Sequence, residues 1–448
     1  MNTHSDRLSR GILLLCALVS IVLATLMSSA AMTYSGALAC SLAVILFWLG
    51  GAALLMVRPV FSDLSHMICA MVGLYLCLCL RLCLFDYVSP DYVTFLSQWI
   101  SSMNTMTLRE ALSTPIGDYN MPYLYLLLLI SRLPGYDLYW IKLASVLADL
   151  FLALAVLKLA RLLTARPIVL LFAFFGALLA PTAFLNSGYW GQCDGIYAAL
   201  SLWGLYLGLQ RRPISSMLLF ALAFAFKLQA IFLLPTVIFL LVGNYLRLMH
   251  LLVFPATFFA AMLPALLAGR SFADTFGIYV NQTNAYPYLS LSAPSFWSLV
   301  PNSFYDDLTP MPVLLAGILV LLLLYCFLRR FPAPTPGDLV VLGYIFSLAI
   351  PWLLPKMHER YFYLAEMLSI LYVARYPRRL PVALIQLGGG FLAYCSYLFG
   401  GMRILSTELV AAILGLLLVY LIVSELRPRQ GSGSLYPLYK EEHHHDEA

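Results

Sequence analysis

Charged residues are scarce in this chain. Asp, Glu, Lys and Arg make up 10% of its 448 residues, and hydrophobic residues make up 62%. A soluble domain is about a quarter charged and about half apolar, so the composition excludes an ordinary soluble protein and indicates that lipid is the solvent. The formal net charge of +5 is small and its cations are scattered, which excludes a nucleic-acid-binding surface.

Patterns typical of disulfide-rich, metal-binding and nucleotide-binding proteins are also absent. Most of the nine cysteines lie within apolar runs, where Cys behaves as a small hydrophobe. Cys77, Cys79 and Cys83 are close together but lack a His or a CxxC partner. No Walker or Rossmann glycine pattern occurs. We therefore expect no disulfide framework, no metal ligands and no required cofactor, although the sequence leaves a divalent metal open.

Long apolar runs dominate what is present. A membrane-spanning helix needs about 20 such residues, and about fourteen runs approach that length. We therefore predict an all-α polytopic membrane protein with about fourteen (13–15) transmembrane helices and a helical loop along its outer surface. The runs cover residues 11–32, 37–56, 65–85, 138–162, 168–185, 195–209, 213–226, 228–242, 248–267, 311–328, 339–354, 361–374, 381–400 and 405–424.

Basic residues recur at alternate connections between these runs. The positive-inside rule therefore places both termini in the cytoplasm. The apolar run 123–133 is short and would reverse every later connection if it spanned, so we predict a re-entrant or interfacial helix there. The organisation predicted is an N-terminal transmembrane hairpin (1–62), a membrane core (63–428) and a flexible cytoplasmic tail (429–448). The cytoplasmic cations are Arg7, Arg10, Arg58, Lys158, Arg161, Arg166, Arg211, Arg212, Arg247, Arg329, Arg330, Arg375, Arg378, Arg379, Arg427 and Arg429.

The first polar motif follows the third apolar run, on the predicted outer side. Its sequence is FDYVSPDY (residues 85–92), which contains Asp86 and Asp91. Pro90 favours a helix start, and apolar residues then recur at 92, 95, 96 and 99, which predicts an amphipathic helix on the membrane surface. Asp91 falls in its first turn, where the helix dipole favours an ionised carboxylate. Asp91 is either a general base for a sugar hydroxyl or only a helix cap.

Two further motifs combine carboxylates with aromatic residues. GDYNMPYLY (117–125) carries turn signals and tyrosines that either contact a sugar or anchor the chain at the interface. NSGYWGQCD (186–194) has the charge, amide and flat apolar face of a carbohydrate site, or else caps the following helix. The candidate sugar-binding residues are Asp118, Tyr119, Trp190, Gln192 and Asp194.

The last two motifs place cations on the predicted outer side. A lysine in FKLQ (226–229), between apolar halves, is costly unless it reaches the surface or holds an anion. PKMHERY (355–361) surrounds a glutamate with cations, and such a cluster before a helix suits a phosphate group. A cationic loop on the outer side is contrary to the positive-inside rule. This favours a functional role for these cations over a chance occurrence at the surface. The candidates are Lys227, Gln229, Lys356, His358, Glu359 and Arg360.

Taken in order, these motifs resemble those of the GT-C superfamily of membrane glycosyltransferases. They are most similar to bacterial Gpi18-like mannosyltransferases. The segments that carry the resemblance are DYVTFLSQW (91–99), GDYNMPYLY (117–125), GQCDGIY (191–197), FKLQAIFLLP (226–235) and PKMHERY (355–361). They are spread over residues 65–375, so the resemblance covers most of the chain. The N-terminal hairpin precedes the usual first helix and departs from the simplest family layout.

The resemblance implies an inverting transferase. We expect the bacterial inner membrane as its location, although the sequence leaves the endoplasmic reticulum open. The transferase would move a hexose such as mannose from a polyprenyl-phosphate donor to a lipid-linked or cell-surface glycan on the non-cytoplasmic face. Asp91 is the best match to the general base and Asp86 the second. Arg360, Lys356, His358 and Lys227 would bind the donor phosphate, and the remaining candidates would bind sugar or acceptor hydroxyls.

A flippase or transporter of lipid-linked sugars is the alternative. A transporter usually carries polar residues at the membrane midplane, in broken helices, and Asp149 and Glu366 are the candidates for that role. A third possibility is a non-catalytic scaffold for glycan assembly, which the cluster of outer carboxylates disfavours.

Overall fold

The computed structural model describes residues 3–30, 34–57, 63–284, 287–308 and 311–427. The predicted tail at 429–448, Arg58 and Arg429 lie outside these ranges. The described chain is almost entirely helical. Its α-helices are Thr3–Ala30, Tyr34–Ala43, Gly50–Val57, Leu64–Leu82, Ser97–Asn104, Leu108–Ser113, Met121–Ile130, Asp137–Arg161, Pro167–Leu179, Pro181–Phe184, Asp194–Leu209, Pro213–Phe226, Pro235–Val242, Val253–Ala268, Phe272–Phe276, Ile278–Asn284, Tyr305–Leu308, Met311–Arg330, Pro336–Leu353, Tyr363–Arg375, Leu380–Leu398 and Thr407–Leu426.

Shorter elements extend or interrupt these helices. The one β-pair among the described residues is parallel and joins Ser290–Leu291 to Met357–His358. Wider π turns cover Val44–Leu49, Tyr92–Leu96 and Leu185–Trp190, and 3₁₀ turns cover Leu228–Leu233, Leu248–Leu252, Phe296–Leu299, Asn302–Phe304 and Pro377–Arg379.

The chain is an all-α polytopic membrane protein. Over the described ranges, eight helices are long and apolar enough to cross a membrane, or nine if the bent pair Pro167–Leu179 and Pro181–Trp190 is one span. Within the described residues, each of the fourteen predicted runs contains helix, but several helices are short. Pro213–Phe226, for instance, has 14 residues, which is about 21 Å against a hydrocarbon thickness of about 30 Å. Length and composition therefore support fewer spans than the fourteen predicted.

The helix predicted near residues 123–133 is present as Met121–Ile130. Its 10 residues extend about 15 Å, half the thickness of the hydrocarbon layer. It is therefore too short to cross alone. This agrees with its interpretation as a re-entrant or interfacial helix. The predicted alternation of later connections between the two sides of the membrane depends on that interpretation.

Contacts between helix termini define two ends of the bundle. Arg211 donates a hydrogen bond to the Asn244 carbonyl at 3.2 Å, so Pro213–Phe226 and the following 228–242 segment form a hairpin with residue 227 at its far tip. Ion pairs close the same end for later helices, Arg375–Asp338 at 2.8 Å and Arg379–Glu425 at 3.4 Å. We call this the arginine end. We call the opposite end, where the polar motifs lie, the motif end.

The innermost helices are mostly apolar and are buried over most of their length. Over an apolar stretch of 18 residues, 72% of the residues are buried in Asp137–Arg161 and in Pro336–Leu353, against 11% in Leu248–Ala268 and 17% in Met311–Arg330. A helix that is hydrophobic all round belongs in a protein interior or in lipid. The first two helices therefore form the core, and the last two present their leucines to the bilayer.

Basic side chains hold the loop at the motif end. The ammonium group of Lys142 donates hydrogen bonds to the carbonyls of Leu84, Phe85 and Tyr87, at 2.9, 2.8 and 2.7 Å. These carbonyls follow the last turn of Leu64–Leu82, where helical partners run out. Arg132 donates to the Met106 carbonyl at 2.6 Å in the same way. The segment that carries the first motif is therefore fixed at both ends.

Candidate active site

The five polar motifs converge on one cavity at the motif end. Its volume is about 270 Å³. Ten of the thirteen candidate residues line it: Asp91, Asp118, Tyr119, Gln192, Lys227, Gln229, Lys356, His358, Glu359 and Arg360. Trp190 and Asp194 lie directly behind the wall, with no exposed surface. Asp86 is elsewhere, where its carboxylate accepts a hydrogen bond from the Tyr139 hydroxyl at 2.6 Å.

Asp91 faces the cavity because another residue caps its helix. The helix begins at Pro90, as predicted, and the buried Ser89 hydroxyl accepts a hydrogen bond from the Tyr92 amide at 3.3 Å. The same hydroxyl donates to the Trp190 carbonyl at 2.9 Å, which ties the helix to the 185–193 segment. Asp91 makes no cap hydrogen bond. The cap interpretation of Asp91 is therefore wrong.

Three donors orient the Asp91 carboxylate. Oδ2 accepts from Gln192 Nε2 at 2.6 Å and from Trp190 Nε1 at 3.0 Å, and Oδ1 accepts from the Tyr397 hydroxyl. The side chain remains 15% exposed, toward the cavity. Each carboxylate oxygen can accept about two hydrogen bonds, so Oδ1 retains capacity for an incoming hydroxyl. The arrangement is that of a carboxylate held in place by three donors, with one acceptor position left open toward the cavity.

The role of Trp190 differs from the sugar-stacking role predicted for it. Its ring is covered by the Arg360 guanidinium, 5.3 Å from the ring centroid, and stacks on Tyr397 at 4.8 Å. Because Trp190 has no exposed surface, its ring cannot stack against a sugar in the cavity. Trp190 instead positions Asp91 through its indole N–H.

Asp194 is held in a buried ion pair. Its Oδ1 lies 2.5 Å from Lys227 Nζ, and its Oδ2 accepts from Asn186 Nδ2 at 2.8 Å. The two charged side chains are 0% and 6% exposed. Asp194 makes these side-chain contacts instead of capping its helix, and the Lys227 charge is already compensated. The Lys227 ammonium also lies 5.7 Å from the Tyr119 ring centroid.

Arg360 stands between three carboxylates without bonding closely to any of them. Its nearest approaches are 3.6 Å to Glu359, 3.7 Å to Asp91 and 3.8 Å to Asp194. Among the described residues its buried Nε has no hydrogen-bond partner. A guanidinium carries five N–H donors in a planar fork that fits phosphate. Arg360 therefore has donor capacity left for an anion in the cavity.

The rest of the cationic loop is set by local backbone structure. Lys356 adopts a positive φ of 63°, and its amide donates to the Leu289 carbonyl at 2.8 Å, next to the two-residue β-pair. The Lys356 ammonium lies 5.2 Å from the Tyr305 ring centroid. The loop is thereby turned so that residues 356 and 358–361 all line the cavity.

Glu359 is the buried acid of this loop. Burial alone would raise the pKa of its carboxyl, but neighbouring His358 and Arg360 outweigh burial, so the pKa of Glu359 is lowered. His358 Nδ1 lies 3.8 Å from Glu359 Oε2. The ionised glutamate therefore balances part of the positive charge of the loop and holds Arg360 against the cavity wall.

Apolar side chains form another part of the cavity wall. The helix at 90–104 turns Phe95 and Trp99 toward the cavity, whereas Tyr92 is buried against the protein. The apolar stripe predicted for this helix therefore faces partly the protein interior and partly the cavity, because the helix packs against the bundle. The remaining apolar lining comes from Leu96, Phe226, Leu228 and Leu291.

Several lining residues carry no signal in the sequence. Tyr397 lies inside an apolar run near a helix end, where tyrosine is ordinary in membrane proteins. Gln282 donates to the Asp118 carbonyl, and Asn120 and Tyr279 complete that side of the cavity. Within its motif, Asn120 is recognised from the sequence only as part of a turn signal. Only the folded chain brings these residues to the site.

Within the described ranges, no three His, Cys, Asp or Glu side chains are grouped closely enough to hold a metal ion. No protein-family model matches the chain, and a search of curated proteins finds no match either.

Proposed function

We propose that this protein is an inverting glycosyltransferase that moves a hexose, such as mannose, from a polyprenyl-phosphate donor to a lipid-linked or cell-surface glycan. The observation that carries the proposal is the pairing of Asp91 with Arg360 in one cavity. Asp91 is a fixed carboxylate with room for a hydroxyl, and Arg360, 3.7 Å away, has an unpartnered buried N–H. A base and an anion-binding group are the two elements that transfer from a sugar phosphate requires.

The reaction would be a single displacement. Asp91 takes the proton of the acceptor hydroxyl while that oxygen attacks the anomeric carbon. The bond from this carbon to the phosphate oxygen breaks, and its electron pair leaves with the phosphate. Cations fixed before the reaction stabilise the charge that develops there. One displacement inverts the anomeric configuration.

Donor phosphate binding is assigned to Arg360, Lys356 and His358. Lys227 was a fourth candidate, but its charge is compensated by Asp194 at 2.5 Å. Its contribution is therefore indirect, through the position of Asp194 beside Arg360. The apolar lining that includes Phe95 and Trp99 would receive the first part of the polyprenyl chain.

Sugar and acceptor hydroxyls would be bound by the polar residues around this pair. Gln229 Oε1 is buried and has no hydrogen-bond partner among the described residues, so a hydroxyl donor would satisfy it. Asp118 lies exposed in the cavity lining, and Tyr119 donates weakly to Gln192 at 3.4 Å. These groups would select the sugar, with mannose as the first candidate.

The distribution of basic residues supports an outward-facing site. Arg211, Arg375 and Arg379 lie at the arginine end, and the cavity lies at the other end of the same helices. If the arginine end is cytoplasmic, the cavity opens on the non-cytoplasmic face. Polyprenyl-phosphate sugars, and not nucleotide sugars, are the donors expected there. The bacterial inner membrane is the location that this assignment favours.

A flippase for lipid-linked sugars is the second candidate, and Glu366 is the observation that favours it. Glu366 is fully buried, accepts a hydrogen bond from Thr182, and has a second oxygen without a hydrogen-bond partner in the described chain. Asp149, the other interior acid, is engaged by Arg81 at 2.7 and 2.9 Å. One acid with a free oxygen is a weaker basis than the converging motifs.

The experiment that separates the two functions assays both on one preparation. Purified protein in detergent is given synthetic polyprenyl-phosphate mannose, glucose or galactose with lipid-linked and glycan acceptors, and product is followed by mass spectrometry. The same protein in liposomes is tested for flipping of a fluorescent lipid-linked sugar. Transfer without flipping supports the transferase. Flipping without transfer from any donor contradicts it.

A further inference from the structure

A second cavity lies at the arginine end. It is a groove of about 480 Å³ between the helices Leu380–Leu398 and Thr407–Leu426. Its walls are apolar, and a smaller depression of about 290 Å³ continues it along the second helix, sharing Leu416 and Tyr420. The apolar walls comprise Pro381, Val382, Ile385, Ile413, Leu416, Leu417 and Tyr420.

Three arginines stand at the end of this groove. Arg378 and Arg379 line the first part, and Arg427 lines the continuation. Arg379 pairs with Glu425 at 3.4 Å, and Glu425 is 4% exposed. Arg378 and Arg427 are exposed. Glu425 thus compensates the charge of Arg379. Arg378 and Arg427 are two further cations in the lining of the groove.

The shape and the charge together identify one class of occupant. Leu416 and Tyr420 are 71% and 47% exposed, which suits contact with an acyl chain. An arginine at the membrane surface attracts a lipid phosphate and can grip it with two parallel hydrogen bonds. A zwitterionic lipid carries its own cation and would compensate these arginines less well. We propose that this groove is a binding site for an anionic phospholipid, with its phosphate on Arg378 and Arg427 and an acyl chain in the groove.

This site is separate from the candidate active site. Leu380–Leu398 has 19 residues and is therefore about 28 Å long. Its first residues adjoin Arg379, and Tyr397 at its other end bonds to Asp91. The phospholipid headgroup and the sugar cavity thus lie on opposite faces of the membrane. The proposal does not depend on the function of the cavity.

The test is a lipid titration of the delipidated protein in detergent. The melting temperature is followed with phosphatidylglycerol, with phosphatidylcholine of the same chains, and with soluble glycerol phosphate. The variants are wild type, the double variant Arg378→Gln/Arg427→Gln, the groove-filling Leu416→Trp, and Arg166→Gln as a control. Arg166 is an exposed arginine preceding Pro167–Leu179 and is not part of the groove lining.

We expect phosphatidylglycerol to raise the melting temperature of wild type and Arg166→Gln more than the other additives do. The double variant should need at least about tenfold more of this lipid, and Leu416→Trp should reduce the shift while leaving the lipid-free melting temperature unchanged. Native mass spectrometry should show a retained anionic lipid on wild type that the double variant loses. An equal response of the double variant and Arg166→Gln overturns the site. An equal response of wild type to glycerol phosphate overturns the lipid as its occupant.

Discussion

Tyr397 donates a hydrogen bond to Asp91 although 306 residues separate them in sequence. Its ring stacks on Trp190 at 4.8 Å, and the Trp190 indole donates to the same carboxylate. The proposed base is therefore positioned from two sides, by the 186–194 motif and by a late helix. Among the described residues, Tyr397 is the one that contacts Asp91 from a segment without a polar motif.

Substituting Tyr397→Phe should lower kcat while leaving the KM for the donor unchanged. The phenyl ring keeps the stack on Trp190, and only the donor to Asp91 is lost. A hydrogen bond to a charged group contributes about 1.5–3 kcal/mol, so we expect a loss of about 10- to 100-fold. Steady-state kinetics on polyprenyl-phosphate sugar measure both constants. Tyr325→Phe is the control, an exposed tyrosine outside both cavity linings, and equal kinetics in the two variants contradict the positioning role.

Breaking the buried pair of Lys227 and Asp194 should destabilise the protein. Lys227→Met leaves Asp194 buried with Asn186 as its nearest donor, and loss of one partner of a buried pair costs about 3–5 kcal/mol. The double variant Lys227→Met/Asp194→Asn should recover much of this loss because no charge is stranded. Thermal unfolding in detergent measures these two variants and the single variant Asp194→Asn. Strictly additive losses would show that the two residues do not act as a pair.

Arg360→Gln should weaken binding of polyprenyl phosphate, the product that carries the leaving group. We expect the dissociation constant to rise by at least about tenfold, since a charge-assisted hydrogen bond contributes about 1.5–3 kcal/mol. Arg360→Lys should restore binding in part, because an ammonium supplies charge without the planar fork. Arg403→Gln is the control, an exposed arginine outside the cavity lining. Unchanged binding of polyprenyl phosphate in Arg360→Gln would contradict the assignment of phosphate binding to Arg360.

The lowered pKa of Glu359 predicts how its contribution to stability varies with pH. Because the pKa of its carboxyl is below its usual value of 4.5 in the folded protein, the ionised form stabilises folding above that pH. The contribution is lost as the pH falls through the lowered pKa. At pH 7 the melting temperature of the wild type should be higher than that of Glu359→Gln. The difference between the two melting temperatures should shrink below about pH 4.5. A constant difference down to pH 3.5 contradicts the assignment.

The sequence locates the polar motifs because a membrane permits few polar residues. Dense polar stretches such as 186–194 and 355–361 are conspicuous between apolar runs, and each lies at a helix terminus. Their convergence follows from alternation, since loops on one face of the membrane are neighbours. The number of spans is less predictable. A run of 14 residues such as Pro213–Phe226 forms a helix, but its sequence does not say how far it crosses the bilayer.

Individual roles depend on contacts that sequence cannot supply. Asp86 and Asp91 follow the same helix, and the choice between them rests on the Ser89 cap and on Lys142, which fixes the preceding carbonyls. Trp190 is a residue type that often stacks on sugars, but Arg360 and Tyr397 pack against its ring and it has no exposed surface. Distant side chains decide each of these roles.

The most direct measurement compares Asp91→Asn with Asp86→Asn in transfer of labelled mannose from synthetic polyprenyl-phosphate mannose. Donor binding is measured on the same purified samples. We predict that Asp91→Asn binds donor normally and loses about 10²- to 10⁴-fold in rate, the range expected for a general base, while Asp86→Asn stays close to wild type. Transfer at the wild-type rate by Asp91→Asn, or its loss in Asp86→Asn alone, would contradict the account.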